Sequence, residues 1–127
     1  MTQTQTETAQ ATLFDRVGGA EKLRQIVAET VEAHLANPAV QTRFQRFDPD
    51  QLKTRAYAFF AQATGGPAAY DGAGLRKVHE GMNINEAEFV AVTDDLLGVL
   101  RKHGVGDREQ AEVLSAFFMW KDELLHT

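Results

Sequence analysis

The side chains with which this 127-residue chain could hold a metal through an imidazole or a thiolate are four histidines, His34, His79, His103 and His126; there is no cysteine. The histidines are widely scattered. Zinc sites of the His-Glu-x-x-His kind need two histidines on one helix face, and di-iron helical bundles need Glu-x-x-His motifs from two helices. Here Glu123 to His126 is the one such motif, at the end of the sequence. No Walker glycine loop and no Gly-x-Ser-x-Gly elbow occur, so phosphate cradling and serine-nucleophile chemistry lack their residues.

His79 stands out through its neighbours. In "LRKVHEGMNI", Leu75, Val78, His79 and Met82 fall at i, i+3, i+4 and i+7, which predicts a helix with the imidazole on its buried face. Two phenylalanine-rich segments, Phe44 to Phe47 and Phe59 to Phe60, offer aromatic surface. A flat apolar cofactor needs such walls for its faces and one neutral imidazole for an axial metal bond; haem is such a cofactor. The same residues also fit a packed core in which His79 bonds a backbone carbonyl.

The elements that must position these residues read as helices throughout, because apolar residues recur at three and four and rarely at two. After "LFDRV", Gly18 and Gly19 break the chain, and a helix from about Glu21 to Asn37-Pro38 carries Leu23, Ile26, Val27, Thr30, Val31 and Leu35 as its inner stripe. A short, partly helical stretch with Val40, Phe44 and Phe47 leads to Asp48-Pro49, an N-cap followed by proline at the first helical position. That next helix turns Leu52, Ala56, Phe59, Phe60 and Ala63 inward and stops at "GGP". Residues 65 to 74 hold four of the ten glycines and feed into the histidine segment. Asn85 with Glu88 three residues on predicts a capping box. It opens a helix reaching Gly104 with Phe89, Val92, Leu96, Val99 and Leu100 inside, and after "GVGD" a last helix carries Val113, Phe117, Trp120 and Leu124. Met82, Met119 and Trp120 read as core or near-core packing.

The expectation is one all-α domain over residues 13–127, preceded by a disordered tail over residues 1–12, "MTQTQTETAQAT", which reads as neither a signal nor a targeting segment. A net charge of −5 supplies no basic surface for nucleic acid. No run approaches the ~20 apolar residues that cross a bilayer. The lack of cysteine fits a reducing cytoplasm.

The stretches "LFDRVGGAEKLRQIV", "FFAQATGGPAAYDG", "LRKVHEGMNINEAEF" and "VLRKHGV" resemble the truncated haemoglobins, the two-over-two globins, and among them the first group. The likeness runs from Leu13 to about Leu125 and includes the order and spacing of the Gly18-Gly19 and Gly65-Gly66 pairs. It implies a two-over-two helical sandwich, haem b, and a diatomic ligand: oxygen, nitric oxide or carbon monoxide. It implies that His79 is the proximal haem ligand and Phe44 the wedge against the porphyrin. Phe59, Tyr70 and Phe89 fall where the family lines the haem, and Arg76 where a basic side chain reaches a propionate.

The departures bear on ligand chemistry. Where many members carry a tyrosine that bonds bound oxygen, this chain has Val31, and positions often occupied by glutamine correspond to Leu52 and Ala56. A hydrogen bond to bound oxygen is worth on the order of 1 to 3 kcal/mol in a dry pocket. An apolar distal side therefore predicts faster oxygen loss and readier oxidation of ferrous iron. Arg55 is the polar residue expected to reach over the iron, ahead of Tyr57 and His34, with a solvent-facing Arg55 as the alternative. Oxygen transport, nitric oxide dioxygenase-like or peroxidase-like turnover, a reductase partner, and a monomer or weak homodimer are all compatible with the resemblance. A haem-free helical interaction module with a globin-like fold and a six-coordinate electron-transfer haem protein are the rival readings.

Overall fold

A computed structural model describes residues 11–66 and 79–125, apart from the side chains of Trp120 and of residues 122–124. Six helices follow in order: α1 Leu13–Arg16, α2 Gly19–Ala36, α3 Gln41–Phe44, α4 Pro49–Ala63, α5 Glu86–Lys102 and α6 Asp107–Leu124. Among the described residues there is no strand, only an isolated parallel bridge between Ile84 and Leu125.

Local sequence accounts for the helix ends. The Thr12 hydroxyl caps α1 by accepting from the Asp15 amide at 3.1 Å, so the folded part begins before Leu13. Gly18 at φ +121° and Gly19 at φ +83° occupy backbone that side chains rarely adopt, which lets the chain reverse from α1 into α2 at once. Asp48 caps α4 with Pro49 in its first turn. The expected box at α5 is complete: the Glu88 amide donates to Asn85 Oδ1 at 2.8 Å and the Asn85 amide to Glu88 Oε1 at 3.0 Å. Such a cap contributes about 1 kcal/mol.

The helices form two pairs, α2 with α4 and α5 with α6, joined where α2 lies along α5. This is the all-α two-over-two sandwich expected from the sequence. Its core takes Leu23, Ile26 and Val27 from α2, Ala61 from α4, Phe89, Leu96, Val99 and Leu100 from α5, and Val113 and Phe117 from α6. Each such large side chain contributes roughly 1.5–3 kcal/mol by leaving water. Phe60 of α4 stacks on Phe117 at 5.8 Å, which fastens one pair to the other. Arg16 reaches across to Glu109 and Glu112 and ties α1 to α6.

Several inner-face expectations need correction. In the last turn of α2 it is His34 that is buried, and Leu35 is half-exposed, because α5 presents Asp95 to the histidine. In α4 Ala63 is exposed and Ala61 is buried, since the helix turns its Ala61 side towards the core at its last turn. Met119 is 78% exposed and does not pack as core. Val92 lies half-buried against the core. The chain turns immediately after His79, so Met82 is not on the same helix face: its amide donates to the His79 carbonyl at 3.1 Å, and Gly81 has φ +84°.

Candidate functional site

Helix α4 presents an apolar wall that protein atoms cover incompletely. Leu52, Ala56, Phe59 and Phe60 are all half-buried, and Ala61 is the fully buried residue of the helix. By contrast α2 buries six residues along its length. The aromatic surface is continuous: Phe59 meets Phe60 edge to face at 5.9 Å, Phe60 stacks on Phe117, and Phe117 leads to Phe89 at 6.2 Å. Phe89 is buried, so it backs the wall rather than standing free beside it.

Phe44 belongs to α3, which packs on α2. It is half-buried at the last residue of α3, and its ring stacks on His34 at 5.0 Å and 23°. His34 is itself fixed: Nδ1 donates to Asp95 Oδ2 at 2.8 Å, and Asn37 Nδ2 donates to both Asp95 oxygens at 3.2 Å. Burial holds the imidazole below its usual pKa, against the pull of Asp95. A neutral, braced His34 therefore supports Phe44.

The turn that follows His79 is tied to α3. The histidine is half-buried. Arg43, next to Phe44, donates from Nη1 to the Met82 carbonyl at 2.6 Å, and from Nε and Nη2 to the two Glu88 oxygens at 2.8 and 3.0 Å. The guanidinium holds the Glu88 carboxyl below the usual carboxylate range, and the pairing raises Arg43. Thus Phe44 and the histidine turn are joined through adjacent residues of α3. No motif announced Arg43; an arginine beside a candidate wall residue was the available signal.

The distal candidates are placed as follows. Val31 is buried, at 5% exposure. The neighbouring Thr30 hydroxyl donates to the Ile26 carbonyl at 2.7 Å and so is committed to its own helix. Tyr57 packs against the core with its ring under Arg24, 4.2 Å from the guanidinium carbon. Arg55 is exposed and shares a small surface concavity with Asp50, Gln51 and Thr54. Tyr70 and Arg76, with Leu75 and Val78, lie outside the described residues.

The donor set fits the cofactor implied by the resemblance. Among the described residues no three His, Asp or Glu side chains converge to hold a bare metal ion. A porphyrin brings four of its iron's ligands itself and asks one imidazole of the protein. The uncovered α4 wall suits an apolar macrocycle. A groove between α2 and α5, about 500 Å³ and lined by Glu29, Glu32, Asp94, Asp95 and Lys102 among others, is acidic and shares no residue with this wall.

Residues 12–125 match the family described as bacterial-like globin. The chain is 34% identical over 106 residues to a group 1 truncated hemoglobin of Mycolicibacterium paratuberculosis, covering 84% of this chain and 78% of that one. It is 34% identical over 109 residues to a group 1 truncated hemoglobin of Synechocystis, covering 81% and 86%. The crystal structure of truncated hemoglobin from Tetrahymena pyriformis in its Fe(III) form superposes with a TM-score of 0.88 at 25% identity, over 91% of this chain and 99% of that one.

Proposed function

The chain belongs to the bacterial-like globins, and within them to the group 1 truncated haemoglobins, and from that membership we propose a protein that holds haem b through His79 and binds a diatomic gas beside an apolar wall. The observation that carries the reading is the α4 face, where Leu52, Ala56, Phe59 and Phe60 stay half-buried in a helix otherwise packed on α2. Haem, when bound, supplies the iron on which oxygen, carbon monoxide or nitric oxide is held.

The chain's own residues do the rest. His79 would offer an imidazole nitrogen to the iron. Phe44, braced by His34, would give a macrocycle an aromatic contact, while Leu52, Ala56 and Phe59 would offer it an apolar surface and keep water away. The hydroxyl of Thr30, the ring of Tyr57 and the Nδ1 of His34 are engaged with Ile26, Arg24 and Asp95. That commitment supports an apolar distal side with Val31 where a hydroxyl donor would otherwise stand. Bound oxygen carries partial negative charge and gains from a donor, whereas carbon monoxide does not, so this pocket favours carbon monoxide and nitric oxide relative to oxygen.

The test is the visible spectrum of protein reconstituted with haem b, wild type beside His79→Gly, in ferric, ferrous and carbon monoxide forms. The expected result is a five-coordinate ferrous wild type that takes up carbon monoxide, and a variant that loses the histidine-ligated spectrum and regains it with added imidazole. No haem uptake by the wild type, or an unchanged spectrum without His79, refutes the reading.

A further inference from the structure

We propose that Arg43 is a positioning residue for the histidine turn: its bridge between the Met82 carbonyl and Glu88 fixes the His79 imidazole relative to Phe44. The inference rests on the haem-binding reading above and assigns to a polar residue a role that the phenylalanine wall alone does not fill.

Three donors of one guanidinium are engaged, two on a carboxylate and one on a backbone carbonyl. A surface ion pair would leave the carbonyl to water. The two side chains are 29% and 17% exposed, so the pair is partly screened from solvent. The backbone it grips needs holding. Met82 sits between Gly81 at φ +84° and Asn83 at φ +51°, and Asn83 is a non-glycine residue in a sparsely populated region.

The turn has other anchors too. The Met82 amide bonds the His79 carbonyl, Ile84 bridges to Leu125, and the Asn85 cap uses the same Glu88 oxygen that accepts from Arg43 Nη2. Arg43 grips the middle. Because Arg43 precedes Phe44, a movement of the turn is opposed by the ring stacked on His34.

The experiment compares wild type, Arg43→Gln, Arg43→Lys and, as a control on a distant ion pair, Arg16→Gln. For each, the ferrous iron–histidine stretching band is recorded by resonance Raman, and haem loss to an excess of scavenging apoglobin is timed. Apoprotein helicity and unfolding are measured alongside. In Arg43→Gln the band is expected to shift or broaden, and haem to leave about tenfold faster, equivalent to ~1.4 kcal/mol. Lysine supplies charge without the planar fork, so Arg43→Lys falls between. Arg16→Gln leaves the band unchanged. A wild-type band and rate in Arg43→Gln overturns the proposal. So does a loss of apoprotein helicity in that variant that accounts for the whole effect, or an equal shift in Arg16→Gln. A wild type that takes up no haem instead refutes the underlying reading, which separates the two failures.

Discussion

Gly66→Ala should destabilise the fold through a single contact. An alanine methyl built on Gly66 would stand 2.6 Å from Cε1 and 2.7 Å from Cγ of Phe14. Carbon atoms rest about 3.5–4.0 Å apart, so roughly 1 Å of movement is demanded. Neither partner yields easily. Phe14 is 6% exposed in the core, its amide donates to the Thr64 carbonyl at 2.9 Å, and the Gly66 amide donates to the Ala61 carbonyl at 2.6 Å. Overpacking of this kind costs about 1–3 kcal/mol, and pinning at both sides argues for the upper end. Gly66 is outside the left-handed region, so the smaller unfolded-state entropy of alanine returns about 0.4–1 kcal/mol. The net loss is roughly 2 kcal/mol, which lowers Tm by about 8 °C in a domain of this size. Thermal and urea unfolding of the apoprotein would measure it. In a Phe14→Ala background the same alanine fills the vacated space, so its penalty should vanish or reverse. A Tm within about 1 °C of wild type, or an equal penalty in both backgrounds, refutes the reasoning.

Two further outcomes follow from the buried groups of α2. Burial lowers the His34 pKa, so the unfolded chain takes up a proton near pH 6.5 that the folded chain takes up only at lower pH. Its stabilising contribution is complete above that pH and is lost as pH falls towards the folded-state value. Wild type should therefore lose more Tm than His34→Gln between pH 7 and pH 5; equal losses would show that His34 is not the group responsible. Val31→Tyr restores a hydroxyl at a 5% exposed position and is expected to cost about 1–3 kcal/mol of apoprotein stability by overpacking. If Val31 faces the ligand, it should also slow oxygen dissociation by about tenfold or more while leaving carbon monoxide dissociation nearly unchanged. An unaltered oxygen off-rate in stopped flow places Val31 elsewhere.

The local devices of this chain were legible in its residues because each is a short-range event. Asp48-Pro49 starts α4 and Asn85 with Glu88 starts α5, and both do so by hydrogen bonds or dihedral limits that span three residues or fewer. Helical periodicity likewise marked Leu23, Ile26, Val27, Phe89 and Leu96 as inner residues, since one apolar stripe must be buried wherever its partner lies. What periodicity could not settle was which residue at a stripe's edge goes inside. His34 and Leu35 are adjacent, and the choice between them was made by Asp95, 61 positions along the chain from His34, which offers a carboxylate that only the histidine can use. Ala61 and Ala63 were divided in the same way by what the neighbouring helices present.

The candidate site splits along the same line. His79 and the phenylalanines were visible as residue types at suggestive spacings, but the bracing of Phe44 by His34 and the grip of Arg43 on Met82 join segments 10 and 39 residues apart. Contacts of that range have no period and no motif. They exist only because two helix pairs close on each other, so sequence determined which helices form and which faces are apolar, and tertiary packing decided which polar side chains are spent on holding the site.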